Sequence, residues 1–200
     1  MQDNKKVCCL IGTPPEDFLW DYSEKNLIEK KYYDIDRFIE IEKLIWHGYG
    51  YFICGCERGA DMDFAEDIIY FRTKAYPDVK LEIVLRYPEQ AEEYGETEKL
   101  RYQEIVSKAD KVTVLATRSF QNGVKKKTRY LIDNAEKGLA VWNFKQKGES
   151  YQAILYAQKQ KKELEFLSLL LCVKETRERT AMLMRYAETH FMDKKNTTGE

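Results

Sequence analysis

The sequence has no long apolar run, only two histidines (His47 and His190), four prolines and no excess of either charge. Each scarcity excludes something. The most apolar stretch, Leu164 to Val173, is interrupted by Glu165 and reaches about half the roughly 20 residues that a membrane-spanning helix needs. Met1-Gln2-Asp3-Asn4-Lys5-Lys6 leads into an apolar run too brief for a secretory signal, so the expectation is a cytoplasmic protein with no membrane partner. The 33 basic and 34 acidic residues cancel to a net charge of -1, which leaves no global field to draw the chain to nucleic acid. Five cysteines, at 8, 9, 54, 56 and 172, are an odd number for a disulfide framework. A closed zinc site needs about four ligands, which Cys54-Gly55-Cys56 and two distant histidines do not supply. We therefore expect no metal and no cofactor, with the thiols buried in strands and Cys56 exposed in a loop.

What is present suits a globular α/β protein: 44% hydrophobic and 13% aromatic residues in 200 can bury the core of one domain. Short apolar runs that stop at glycine or follow a turn signal read as strands at Lys6–Ile11, Tyr51–Cys54, Leu81–Leu85, Lys111–Ala116, Gly138–Trp142 and Leu164–Leu169. Between them, helical spacing covers Asp34–His47 (Asp34 as cap, Gly48 as stop), Ala60–Ala75, Glu96–Ala109, Lys126–Ala135 and Ser150–Lys161. This alternation predicts right-handed βαβ units and a Rossmann-like three-layer sandwich around a mainly parallel sheet of about six strands. The domain spans 1–173; residues 174–200 form a C-terminal amphipathic helix (Lys174–Met192) and a frayed tail.

Ligands of such sheets bind outside the carboxyl ends of the strands, where loop amides and helix N-termini point into the crevice. Three strand ends carry glycine: Gly12-Thr13-Pro14-Pro15, Gly55-Cys56-Glu57-Arg58-Gly59-Ala60-Asp61, and Asn143 through Gly148-Glu149-Ser150. Glycine permits close backbone approach, and Thr13, Asp61 and Ser150 suit helix caps or ligand contacts. The aromatics Tyr32, Tyr33, Trp46, Tyr49 and Tyr51 read as core and rim packing, while Trp142 suits either core or a wall beside a base.

The combination resembles a known family. Gly55-x-x-Arg58-Gly59-Ala60-Asp61 with Phe64-Ala65-Glu66 is similar to the G-x-x-x-G-x-D-x-x-A-A-E stretch of the YpsA-like branch of the SLOG superfamily, which also holds the Smf/DprA DNA-processing proteins and the LOG phosphoribohydrolases. Tyr130-Leu131-Ile132-Asp133-Asn134, Ala140-Val141-Trp142-Asn143, Gly148-Glu149-Ser150 and Tyr156-Ala157 resemble that branch's C-terminal signature in order and spacing. The resemblance runs from about Val7 to Leu167. It implies a Rossmann-like fold holding a nucleotide or nucleotide-derived small molecule, with Gly12, Gly55, Gly59, Asp61, Asn143, Gly148 and Ser150 on the ligand loops and Arg58 as phosphate partner; Thr13 and Glu149 complete the candidate site. Three departures stand out. The family's G-(H/Y)-R-P is Gly12-Thr13-Pro14-Pro15 and lacks an arginine, its S-G-G is Cys54-Gly55-Cys56, and its G-G-T is Gly148-Glu149-Ser150.

Three functions follow in order of fit. A binding or sensor module explains the loops without catalytic residues. A LOG-like N-glycosidase acting on nucleoside monophosphates would need a glutamate where Ala153 stands, with Glu149 or Asp61 as substitute. Single-stranded nucleic-acid binding would rest on Lys125-Lys126-Lys127, Arg129 and Phe120, a run that reads first as solvated surface. Nucleophilic catalysis lacks an activating base near Cys54 or Cys56. Homo-oligomer formation and ligand identity stay open.

Overall fold

In the computed structural model, residues 5–24 and 27–169 are described, together with Lys174 and Glu178. The elements run β1 (Lys6–Ile11), a 3-10 turn (Pro15–Asp17), α1 (Ile28–Trp46), β2 (Tyr49–Cys54), α2 (Ala60–Lys74), β3 (Lys80–Leu85), α3 (Glu96–Lys108), β4 (Lys111–Val114), α4 (Gly123–Asp133), β5 (Lys137–Trp142), α5 (Glu149–Lys159) and β6 (Glu163–Ser168). The sheet order is β4-β3-β2-β1-β5-β6, and every neighbouring pair is parallel. The expected C-terminal helix lies outside the described residues apart from Lys174 and Glu178, as does Cys172.

Strand side chains alternate between the faces, and the two cores divide by that period. Cys8, Leu10, Phe52, Cys54, Leu81, Ile83, Leu139 and Val141 pack under α1, α2 and α3 with Tyr33, Ile41, Phe64, Ile68 and Ile105. Cys9, Ile11, Ile53, Val84 and Ala140 point the other way, against Leu131, Ile132, Ala153, Ile154 and Ala157 of α4 and α5. The distribution follows from right-handed crossovers. The chain steps in one direction from β1 to β4, keeping three helices on one face, then α4 carries it back across the sheet to β5.

Two helices begin earlier than their apolar spacing suggests. α1 starts at Ile28, and Asp34 lies inside it as the ion-pair partner of Lys30 (3.1 Å) and Arg37 (2.9 Å) instead of capping its start. Its first turns are fixed by Tyr33, fully buried against Phe18 and Trp20. α4 starts at Gly123, after Asn122 in the left-handed region at φ 63°, so the Lys125–Lys127 run lies within the helix. Among the described residues no helix is long and apolar enough to cross a membrane.

Candidate functional site

β1 and β5 are neighbours from which the chain leads off in opposite directions, so the loops after them part and leave a crevice at their carboxyl ends. The loop after β2 closes its third side. Gly12, Thr13, Pro14, Glu57, Arg58, Asp61, Glu149 and Ser150 all face it, with Lys127, Thr128 and Leu131 of α4 as its floor. The enclosed space is about 60 Å³, and the cleft widens to about 550 Å³ when its open mouth is included. Two hydroxyls tie the walls together. Thr13 Oγ1 donates to the Val141 carbonyl on β5 (2.5 Å), and Ser150 Oγ donates to the Gly12 carbonyl (2.7 Å).

Asp61, in the first turn of α2, explains two of the glycines. Its carboxylate accepts from the Gly55 amide (3.1 Å) and the Glu57 amide (3.4 Å). A Cβ on Gly12 would stand 2.0 Å from Asp61 Oδ1, and one on Gly55 would stand 2.7 Å from Oδ2, so neither strand end accepts a side chain. Gly59 answers a different demand. It has φ 88°, its own Cβ would lie 2.6 Å from the Thr13 carbonyl, and the next amide, Ala60 N–H, donates to that carbonyl (3.1 Å). In the second glycine turn, then, the Gly55 and Glu57 amides go to Asp61 and the Ala60 amide to Thr13. At the third, the first-turn amides of α5 at Glu149, Ser150 and Tyr151 meet no side-chain cap or loop acceptor among the described residues.

Three charged residues outside the candidate set complete the site: Lys127, expected on a solvated basic run, Glu57, expected only as part of the second glycine loop, and Arg86. Lys127 is buried, and its Nζ lies 2.7 Å from Glu57 Oε2; Arg86 Nε approaches Glu57 Oε1 at 3.0 Å, a charge contact without hydrogen-bond alignment. Burial works to raise the Glu57 carboxyl, but the Lys127 and Arg86 cations outweigh it and hold it below the usual carboxylate range. Burial wins at Asp61, raised to about 6 despite Lys127, with the Glu57 charge adding to the shift. Burial opposes the Lys127 charge, yet Glu57 and Asp61 keep its ammonium above the ordinary lysine value. Glu149 stands exposed at the rim, its carboxyl pushed up by partial desolvation and by Glu57. A signal for Lys127 was present, since it precedes Leu131 by four residues and shares its helix face. Glu57 carries no such signal, and Arg86 is only the first residue past β3.

The remaining candidates take other places. Arg58 borders the cleft but turns toward Glu98 (3.7 Å) and the Tyr94 ring. Asn143 is buried away from the cavity, its Nδ2 donating to the Asp17 carbonyl (2.7 Å) and its Oδ1 accepting from Lys145 N–H (2.9 Å). Gly148, at φ 88°, faces a neighbouring groove between α4 and α5. Cys56 is fully buried, against the expectation of an exposed loop thiol, because the loop after β2 folds inward over Asp61; burial pushes its thiol up, as it does that of Cys54. Trp142 is partly buried and stacks near Tyr151 beside Phe144 and Phe166, and Trp46 is 71% exposed at the rim.

The YpsA family model, described as the YspA SLOG family, matches residues 26–175. UPF0398 proteins from Bacillus cereus strains B4264 and ATCC 14579 are each 28% identical over 120 residues, covering 59% of this chain and 64% of the relative.

Proposed function

The chain belongs to the YpsA SLOG family, and from its site we propose that it binds a nucleotide-type small molecule in the crevice between β1 and β5 without turning it over. The observation that carries this reading is the convergence of the loops after β1, β2 and β5 on one cleft at the point where the sheet's winding reverses, where open α/β sheets hold their ligands. Glu149 and Ser150, whose amides in the first turn of α5 meet no acceptor among the described residues, line that cleft, and a helix N-terminus favours an anion or a lone pair. The crevice itself is near neutral, since Glu57 and Asp61 offset Lys127 and Arg86, so the entering group is held by hydrogen bonds more than by net charge. At about 60 Å³ the enclosed part takes a polar head alone, and the bulk of the ligand stays in the open cleft.

Isothermal calorimetry of the full chain against adenine, guanine and nicotinamide nucleotides tests the reading. At least one should bind, and Thr13→Val and Ser150→Ala should weaken it. Silence of the whole panel at millimolar ligand would sink the proposal.

A further inference from the structure

Beside the crevice, α4 and α5 diverge to leave a groove of about 640 Å³, within the range of small-molecule sites. It is continuous with the crevice, because Thr128, Glu149 and Ala153 line both. Glu149, at the end shared with the crevice, is the one carboxylate among its lining residues. Lys125, Arg129 and Lys159 line the rest, and none of the three pairs with a described carboxylate; Arg129 instead lies over the Tyr156 ring, 5.4 Å from its centroid. Elsewhere Lys30, Lys43, Arg72, Lys80, Lys108 and Lys111 each meet an acidic partner, so lysine and arginine side chains of this chain do pair where a carboxylate is within reach. Three cations that line one groove without ion-pairing outnumber Glu149 and the Asp133 carboxylate that Tyr156 Oη holds at 2.9 Å, and an anionic occupant is favoured by the positive balance.

We propose that the α4–α5 groove holds the bulk of the ligand and reads a second phosphate, so that the site selects nucleoside diphosphates and pyrophosphate-linked dinucleotides over nucleoside monophosphates. This rests on the nucleotide reading given above. Glu149 accepts from sugar hydroxyls at the shared end, while Lys125, Arg129 and Lys159 meet the additional phosphate as charge-assisted donors. Tyr156 and Leu155 offer apolar surface to the base. The crevice takes the polar head that its small volume admits.

Calorimetry of the full chain against AMP and GMP, the matching ADP and GDP, and NAD tests this, with the double variant Lys125→Gln/Arg129→Gln alongside the wild type. Both substituted residues are exposed on α4, so circular dichroism and melting should match wild type. We expect the diphosphate or the dinucleotide to bind at least about tenfold more tightly than the monophosphate, the increment of one good charge-assisted contact. The double variant should erase that preference and leave the monophosphate within about twofold. Equal binding of mono- and diphosphates by wild type, or equal loss of both in the variant, overturns the groove assignment and leaves the crevice reading standing. No binding by any of these probes overturns both. An octathymidylate that binds more tightly than every mononucleotide and dinucleotide, and loses affinity through the same two substitutions, would make the groove a polymer track and overturn the proposal.

Discussion

Asp61 fits its place because Gly12 and Gly55 leave it room, and the consequences can be tested one residue at a time. Gly59→Val would force a β-branched residue into φ 88° and press its Cβ against the Thr13 carbonyl. We expect a loss of about 1–3 kcal/mol by urea denaturation, with ligand binding lost as the turn shifts. A variant that melts and binds like wild type would remove this turn from the site. Asp61 also sets a pH dependence. Burial raises its carboxyl from 3.8 to about 6 in the folded chain, so the folded state holds the proton more tightly than the unfolded one. The stability it contributes is present at low pH and lost as pH rises through that window. Asp67, likewise raised to about 6 by burial, adds a slope of the same sign to wild type and variant alike. The difference in stability between Asp61→Asn and wild type should therefore move in favour of the variant between about pH 4 and pH 7. A difference flat in pH would mean that Asp61 ionises at its ordinary value. That Gly12, Gly55 and Gly59 stand at strand-to-helix turns was legible in the sequence; the reason Gly12 and Gly55 admit no side chain, a carboxylate from a helix six residues beyond Gly55, was not.

At the scale of elements, strands and glycine-bounded helix ends were readable because short continuous apolar runs and Gly48 are local facts. The starts of α1 and α4 were not, because partners distant in sequence decide them. Tyr33 is placed by Phe18 and Trp20, and Lys127 is drawn inward by Glu57, 70 residues earlier in the chain. α1 carries a further buried cation that ties it to α2. Arg37 meets Asp67 at 2.7 Å and Asp63 at 3.7 Å, and Asp63 is shared with Arg101 of α3 at 2.6 Å. Removing a buried partner strands the opposite charge, which costs more than the pair contributes. Arg37→Met should lower the unfolding free energy by about 3–5 kcal/mol, with Arg37→Met/Asp67→Leu recovering part of it. If the single variant is as stable as wild type, the contacts among α1, α2 and α3 are apolar in their energetics and the charges are incidental.

For the whole molecule, the winding order decides where the site is, and the site's own residues decide whether chemistry follows. The parallel α/β plan was legible because alternation of strand and helix permits little else. The reversal between β1 and β5 was not, since no local pattern states which strands become neighbours. N-glycosidic cleavage needs a carboxylate free to stabilise an oxocarbenium-like transition state. Glu57 is held by Lys127 and Arg86, and Asp61 is buried and spent on the Gly55 and Glu57 amides. Ala153, lining the same wall, offers none, which leaves Glu149 at the rim. A lone, exposed carboxylate without fixed hydrogen-bond partners is poorly preorganised, and preorganisation supplies most of the rate in such reactions. Long incubations of purine and pyrimidine monophosphates with the protein, followed by chromatography, should therefore yield no free base above the protein-free control. Base release that is abolished by Glu149→Gln, with ligand binding intact, would show that the rim carboxylate suffices and would place this chain among the hydrolases.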